Sequence, residues 1–250
     1  MKNENSFTKE ITYAEDTNLS FSSGLKKGIP IALGYIPIAI AFGLVSKSAG
    51  IPNSISILMS LLVFAGASQF IAVNLLALQT GYWEIVMTTF IINLRHFLMS
   101  ASISQKINKE VSQKWRAILA FGITDETFSV ASLRPEKELT AKFLLGLNLI
   151  SYSAWVLGTA IGVFLGASLP EVVQNSMGIA LYVMFIGLLI PSLKKSKVIF
   201  GIFIIAIIIN SSLYWIPLFS NISTGWSIII TTLSTAMIGA IIFPTGVDRE

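Results

Sequence analysis

Cysteine is absent from this chain of 250 residues, and histidine occurs only once. The first absence excludes disulfide bonds and thiolate metal sites, and a single histidine argues against a metal centre built from histidines. Charge is scarce as well, since Asp, Glu, Lys and Arg make up 12% of the residues, against roughly 25% in an average soluble domain. We therefore expect no metal, no cofactor and no soluble globular fold.

Apolar residues take the place of the missing charge. They form 54% of the chain, and the mean hydropathy is +0.75. After residue 28, apolar runs recur that are close to the ~20 residues a helix needs to cross a bilayer. The sequence therefore predicts an all-α, polytopic membrane protein. Eight candidate spans lie at about 28–46, 54–78, 83–104, 116–133, 142–168, 174–191, 198–216 and 224–243.

The fourth run leaves two topologies open, because Thr124-Asp125-Glu126-Thr127 interrupts its centre. If this run is re-entrant or broken, seven helices cross and the N-terminus lies outside; otherwise eight cross. The positive-inside rule favours seven, because only Lys26 and Lys27 then lie near the membrane on the outer side. The other near-membrane basic residues become cytoplasmic: Lys47, Lys106, Lys109, Lys114, Arg116, Arg134, Lys137, Lys142, Lys194, Lys195, Lys197 and Arg249. Since the basic residues mostly lie between apolar runs, the pI of about 9.3 does not indicate binding to nucleic acid.

The predicted domain organisation is simple. Residues 1–23 form a polar, mobile tail, and residues 24–250 form one transmembrane domain. A weak repeat at an offset of 118 residues suggests two halves, about 28–104 and 142–243. In the seven-crossing topology the halves run in opposite directions, as in many secondary transporters. The matching positions are Gly28, Ala49 and Pro52 with Gly146, Ala167 and Pro170.

The third run contains Asn93-Leu94-Arg95-His96 in an apolar setting. Ionisable residues are costly at this depth and are kept mainly where they face a protein interior, a partner charge or a polar pathway. Thr89, Asn93, His96 and Ser100 share one helical face, whereas Arg95 lies about 200° around the helix from Asn93. Arg95 therefore needs a different neighbour from the rest of this polar stripe.

Asp125 and Glu126 are the only adjacent acidic pair in an apolar context. Burial favours the protonated form of a carboxylate, which would suit proton coupling. Two interpretations stay open: Arg95 handles substrate or protons, or it forms an ion pair with Asp125 or Glu126 that holds helices together. An acidic turn reached by water is the corresponding alternative for the carboxylates.

Two further segments carry signals. The second run contains Ala65-Gly66-Ala67 followed by Ser68 and Gln69, which allows either close helix packing or a local unwinding. Unwound helices expose termini that bind carboxylates and cations. In the fifth run small residues recur every four positions, which is typical of close helix contact. They are Ala154, Gly158, Gly162 and Gly166.

Four blocks resemble the AzlC family, the large subunit of branched-chain amino-acid exporters. They are residues 60–70 (SLLVFAGASQF), Asn93–His96, Thr124–Phe128, and the group Trp155, Gly158-Thr159 and Gly162. The resemblance covers about residues 28–191. It implies a permease of the prokaryotic cytoplasmic membrane that exports branched-chain amino acids, and in some members methionine. It also implies a small AzlD-type membrane subunit as partner, and about seven spans.

Together these observations predict a proton-driven secondary transporter for aliphatic amino acids. Arg95, or a helix terminus near Ser68 and Gln69, would hold the substrate carboxylate. Asp125 would hold the ammonium group or take the coupling proton, and apolar residues around Phe64 and Phe97 would accept the side chain.

The main alternative is a non-transporting assembly or channel subunit. An intramembrane hydrolase pairing Ser68 or Ser100 with His96 is disfavoured, because no nucleophile motif accompanies these residues. We therefore predict no catalytic residues.

Overall fold

A computed structural model describes residues 19–136, 138–165, 168, 170, 172 and 180–244. Within these residues the chain forms ten α-helices and no strands, and one 3₁₀ turn at Pro217–Phe219. The helices are α1 Phe21–Ser48, α2 Asn53–Leu62, α3 Gly66–Ala77, α4 Tyr82–Lys106, α5 Gln113–Phe121, α6 Asp125–Ser132, α7 Ala141–Leu165, α8 Ala180–Lys195, α9 Lys197–Trp215 and α10 Thr224–Ile242.

The predicted all-α membrane fold is confirmed. Five helices, α1, α4, α7, α9 and α10, are long and apolar enough to cross a membrane. The second and fourth candidate spans, 54–78 and 116–133, are instead each divided into two short helices. At 1.5 Å per residue these short helices are about 12–18 Å long, or about half of a ~30 Å hydrocarbon core.

The first broken run is re-entrant. α2 begins four residues after α1 ends, at the same end of the molecule. It reaches the middle of α1 at Phe64, whose ring packs edge-on against that of Tyr35. α3 then turns back, because the Phe70 ring packs against Phe42, nearer the end of α1. We call α2 and α3 the first re-entrant pair.

The second broken run is also re-entrant, and it enters from the other end. α5 begins six residues after α4 ends and reaches the middle of α4, where His96 Nδ1 donates to the Ile123 carbonyl oxygen at 2.8 Å. α6 then returns to the end of α4, where the Lys106 ammonium donates to the Ser132 carbonyl oxygen at 2.7 Å. We call α5 and α6 the second re-entrant pair.

The remaining helices fix how often the chain passes between the two ends. The start of α7 lies beside the start of α1, where the Thr140 hydroxyl donates to the Leu19 carbonyl oxygen. The end of α7 lies beside the end of α1, where Lys47 donates to the Val163 carbonyl oxygen at 3.0 Å. α1 and α7 are therefore parallel. α4, which lies between them in sequence, runs in the opposite direction. Each re-entrant pair therefore begins and ends at the same end of the molecule.

The last two helices are antiparallel neighbours in sequence. α10 starts at the beginning of α4, where the Gly225 N–H donates to the Glu84 carboxylate at 2.9 Å. α9 runs against α10, with Gly201 facing the Phe243 ring. Within the described residues, α1, α4, α7, α9 and α10 are long and apolar enough to pass between the ends. The predicted count of seven or eight crossings is not confirmed, because hydropathy does not distinguish a re-entrant pair from a span.

The same geometry changes the predicted orientation. Of the described basic residues, only Lys47 lies at the end where α1 finishes, and Arg95 lies in the middle. All others lie at the end where α1 begins, which we call the basic end: Lys26, Lys27, Lys106, Lys109, Lys114, Arg116, Arg134, Lys142, Lys194, Lys195 and Lys197. The positive-inside rule assigns this end to the cytoplasm. By this rule the start of α1 would lie on the cytoplasmic side, whereas the predicted seven-crossing topology places it outside.

The predicted inverted repeat needs a correction. Its matching glycines, Gly28 and Gly146, lie on two parallel helices that pack against each other, which does not fit an inversion at these positions. An inverted arrangement does occur between other segments. Residues 21–77 and 82–132 each form a long helix followed by a re-entrant pair, and they run in opposite directions.

The small residues of the fifth span lie in the α1–α7 contact. A Cβ atom on Gly158 would lie 2.6 Å from Ala39 Cβ, and one on Gly162 would lie 3.0 Å from Gly43 Cα. Ala154 is buried beside them, with 9% of its surface exposed. Gly166 lies outside the described residues, as does the predicted tail up to residue 18; α1 begins at Phe21, capped by the Ser20 hydroxyl.

Candidate functional site

The tips of the two re-entrant pairs meet in the middle of the molecule. The Phe64 ring of the first lies 6.2 Å from the Phe121 ring of the second. Beside them is a small polar cavity of about 20 Å³, enough for roughly one water molecule. It is lined by Tyr35, Phe64, Ala65, Gly66, Ala67, Arg95, His96, Thr124, Asp125, Glu126 and Trp155.

The break before α3 brings a helix N-terminus to the cavity. Phe64 has a φ angle of +45°, a left-handed conformation that is uncommon for residues other than glycine, and it reverses the chain. The N–H groups of Gly66, Ala67 and Ser68 have no hydrogen-bond partner within the described residues. Such a terminus carries roughly half a positive elementary charge, so it can bind an anionic group.

Gln69 and Trp155 hold this break in place. The Trp155 indole N–H donates to Oε1 of the Gln69 side chain at 3.0 Å, and Nε2 of the same side chain donates to the Ser60 hydroxyl at 3.0 Å. The Trp155 ring also covers Gly66 so closely that a Cβ atom there would lie 2.6 Å from it. The side chain of Gln69 is thus engaged within the protein, and Ser68 donates to the Ala65 carbonyl oxygen at 2.9 Å.

The break before α6 brings a second N-terminus to the same cavity. Thr124 caps α6: its hydroxyl accepts from the Thr127 N–H, and the Thr127 hydroxyl accepts from the Thr124 N–H. Asp125 and Glu126 occupy the first turn of α6, where the helix dipole favours negative charge. The interruption of the fourth run thus positions both carboxylates at the centre of the molecule.

The two carboxylates have different partners. Asp125 accepts from the Arg95 guanidinium of α4 at 2.6 Å, and each side chain is about a third exposed, at 30% and 32%. Glu126 accepts a hydrogen bond from the Tyr35 hydroxyl of α1, which also lies 2.7 Å from the Thr124 hydroxyl. The acidic pair therefore links α6 to both long helices.

His96 lines the cavity with a defined tautomer. Its Nδ1 must carry a proton, because the Ile123 carbonyl oxygen beside it can only accept. Nε2 is buried and has no hydrogen-bond partner within the described residues, so in neutral histidine it is a free acceptor. Ser100, one turn along, donates to the Ala120 carbonyl oxygen at 3.3 Å.

The structure separates the predicted site residues into two groups. Arg95, His96, Asp125 and Glu126 line the cavity, whereas the side chains of Ser68, Gln69 and Asn93 do not. Of the two aromatic residues predicted to accept a substrate side chain, Phe64 lines the cavity, while Phe97 is 72% exposed on α4.

Sequence reasoning missed Tyr35 and Thr124 as cavity residues. Tyr35 has the one phenol in α1, between Pro30 and Pro37, and a hydroxyl group at mid-membrane depth is a signal of a polar contact. Thr124 was visible as the first residue of a possible helix cap before two acidic residues.

Known proteins resemble the segment of the chain that contains this cavity. The sequence model of the AzlC protein family matches residues 30–169, more than half of the chain. The chain belongs to the AzlC family. No solved structure matches it.

Several relatives of this AzlC chain match over most of their own length. The inner membrane protein YgaZ of Escherichia coli is 32% identical, over 71% of this chain and 75% of its own. An uncharacterized membrane protein of Archaeoglobus fulgidus is 41% identical, over 71% and 78%. The branched-chain amino acid transport protein AzlC of Bacillus subtilis is 28% identical, over 71% and 70%. These names and the apolar helices agree on a multi-pass membrane protein.

Proposed function

We propose that this chain is the large subunit of a secondary transporter that exports branched-chain amino acids. Its substrates would be valine, leucine and isoleucine, and methionine as well. It acts in the prokaryotic cytoplasmic membrane and is driven by the proton gradient. The B. subtilis relative is named a branched-chain amino acid transport protein, which supports transport of this substrate class.

The observation that carries the proposal is an ion pair beside a helix N-terminus at the centre of the molecule. An amino acid is a zwitterion, so its two charged groups can replace the two partners of the Arg95–Asp125 pair. The substrate carboxylate binds Arg95 and the N–H groups of Gly66 and Ala67, and its ammonium group binds Asp125. The exchange keeps the charges of Arg95 and Asp125 paired, which lowers the cost of placing them at this depth.

The cavity of about 20 Å³ is too small for an amino acid, so substrate binding at the proposed site requires the cavity to open. Opening requires that Arg95 and Asp125 separate. Because they belong to α4 and to the second re-entrant pair, movement of this pair relative to α4 opens the cavity. Such gating by one structural unit against another is common in secondary transporters.

Glu126 is the proposed coupling carboxylate. Asp125 forms an ion pair with Arg95, whereas the Glu126 carboxylate accepts a hydrogen bond from the neutral Tyr35 hydroxyl. The charged or titratable groups around it are Tyr35 from α1, Asp125 beside it, and Arg95 and His96 from α4. Proton binding to Glu126 weakens its hold on Tyr35, because a neutral carboxyl is a poorer acceptor than a carboxylate.

A small AzlD-type membrane subunit is the proposed partner. α9 and α4 leave large apolar surfaces uncovered in the described residues: no residue of the α9 span and only 6% of the α4 span is buried. Lipid accounts for part of this surface, and a helical partner fits the same chemistry. Co-purification of the chain with the product of an adjacent gene for a small apolar protein tests this part of the proposal.

The function is tested by efflux of labelled valine from vesicles that contain the chain and its partner subunit. Replacing Arg95 by Gln removes one charge-assisted contact of about 1.5–3 kcal/mol, so we expect roughly a 10- to 100-fold loss of apparent affinity. Arg134→Gln is the matched control, because it breaks an ion pair with Glu136 at the basic end (3.0 Å), far from the cavity. Valine efflux that is unchanged in a folded Arg95→Gln variant would contradict the proposed site.

A charge swap separates transport from helix bracing. In the double variant Arg95→Asp, Asp125→Arg the ion pair can re-form, but the positive charge no longer lies where the carboxylate binds. We expect normal folding and no efflux. Recovery of full efflux by the swap would mean that the pair only holds helices together, and absence of efflux in the native protein would favour the alternative of a non-transporting assembly or channel subunit.

A further inference from the structure

A second space adjoins the polar cavity. It is an apolar groove of about 320 Å³ between α1, α6 and α8, a volume within the roughly 300–1,000 Å³ typical of small-molecule sites. Its walls are formed by Pro30, Ile31, Gly34 and Ile38 from α1, Glu126 from α6 and Gly187 from α8. The groove lies at the level of the cavity, in the middle of the molecule.

Two residues belong to both spaces. Tyr35 and Glu126 line the polar cavity and also the apolar groove. The hydrogen bond between them therefore forms the wall that separates the two spaces. If Tyr35 releases Glu126, a molecule could place a polar group on one side and an apolar group on the other.

No neighbour among the described residues packs closely against the glycines of the groove. Gly24, Gly43 and Gly162 each face backbone atoms of the neighbouring helix so closely that a Cβ atom would clash. For Gly34 and Gly187, by contrast, a Cβ atom would meet nothing within 4 Å. Glycine weakens a helix relative to alanine, and a larger side chain at either position would extend into the groove that both residues line.

The chemistry of the groove favours a particular occupant. Most of its lining is apolar, which suits a hydrocarbon chain, but the Glu126 carboxyl group lies in its wall. An aliphatic amino acid carries its own ammonium group next to its hydrocarbon side chain and satisfies both surfaces.

We propose that this groove is the side-chain subsite of the transporter and that Gly34 and Gly187 set the size of the aliphatic side chain it accepts. The ammonium and carboxylate groups of the same substrate lie across the Tyr35–Glu126 wall, in the polar cavity. This inference rests on the proposed function and adds a selectivity site to it.

The test is a series of side chains of increasing size at Gly187: Ala, Val and Leu. Efflux of valine, leucine, isoleucine and methionine is measured from cells that express the full chain with its partner subunit. We expect Gly187→Leu to lower leucine and isoleucine efflux about tenfold more than valine efflux, as a misfit of one methylene group does in other pockets. Gly34→Ala, a smaller change in the opposite wall, should shift selectivity in the same direction.

Gly81→Leu is the matched control. A Cβ atom on Gly81 also meets nothing within 4 Å, but this residue lies at the start of α4, outside the groove, and should leave selectivity unchanged. The amount of each variant in the membrane and its thermal denaturation report folding separately.

The outcomes separate the two proposals. If the native chain exports none of the four amino acids, the proposed function fails and this subsite with it. If the native chain exports them and the Gly187 series lowers all four equally, the groove serves helix movement and not selectivity. If the series changes nothing, the groove is occupied by lipid or by the partner subunit. Either of the last two results overturns the subsite alone.

Discussion

Asp125 and Glu126 are neighbours in sequence with opposite surroundings. Asp125 faces a guanidinium group, and Glu126 faces a phenol. Because successive residues of a helix point about 100° apart, one turn of α6 can present one carboxylate to α4 and the other to α1. In the proposed transporter, a single helix terminus would thereby supply both the charged binding site and the coupling carboxylate.

The first prediction at the residue scale concerns Glu126→Gln. Glutamine resembles the protonated acid in shape and charge, so the variant can open and close but cannot carry a proton. We expect exchange of labelled for unlabelled valine to continue, while efflux driven by an imposed pH gradient falls to the level of empty vesicles. Glu138→Gln at the basic end, where Glu138 accepts from Asn108 at 3.1 Å, should retain both activities.

A variant that still accumulates valine against its gradient would show that another group carries the proton. Asp125 and His96 would then be the next candidates, because both line the cavity.

At the scale of the helix, the α1–α7 contact is the tightest in the molecule. Glycines on both helices allow the backbones to approach: Gly43 faces Gly162, and Gly24 faces the Phe143 carbonyl oxygen. Such contacts between small residues are the usual source of helix association in membranes, where burial of apolar surface gives little driving force. α1 and α7 thus form the rigid frame against which the re-entrant pairs are held.

The corresponding prediction compares two glycine substitutions. Gly162→Ala forces a Cβ atom against the Ile40 carbonyl oxygen, and overpacking of this kind costs about 1–3 kcal/mol. Gly34→Ala meets open space and should stabilise α1 by about 0.5–1 kcal/mol. Thermal denaturation of the purified variants in detergent should therefore show shifts of opposite sign. Equal shifts would contradict the close approach of α1 and α7.

The helices also show which features of the fold could be predicted from the sequence. The tight face of α7 and the break at Thr124 were predictable, because a four-residue glycine repeat and an acidic interruption are local signals. The re-entry of the first pair was not, because residues 54–78 are apolar and long enough to cross, and hydropathy does not record a change of direction. The signal that could have revealed it is the charge distribution, since Lys26 and Lys27 join the other basic residues only when both pairs are re-entrant.

The candidate site shows the same limit. Arg95, His96, Asp125 and Glu126 could be named because ionisable residues stand out in an apolar chain. Tyr35 and the N–H groups of Gly66 and Ala67 could not, because their roles depend on which segments the fold brings together. Gln69 was equally conspicuous in the sequence, but its side chain stabilises the break between α2 and α3 through hydrogen bonds to Ser60 and Trp155.

For the whole molecule, the re-entrant pairs make a prediction about sidedness. The chain has no cysteine, so single cysteines can be introduced and labelled without background. Ser54→Cys and Gly81→Cys flank the first pair and should both react from the outside, whereas Lys109→Cys should react only from the cytoplasm. If the first pair crossed fully, residues 54 and 81 would react from opposite sides with a membrane-impermeant maleimide.

The inverted arrangement of residues 21–77 and 82–132 has an energetic consequence. In the proposed transporter, movement of one re-entrant pair would open the site toward one face of the membrane, and movement of its counterpart would open it toward the other. Because the two forms would be assembled from equivalent parts with exchanged roles, we expect their free energies to be close. The amino-acid and proton gradients, and not a preference of the protein itself, would then set the direction of net flow.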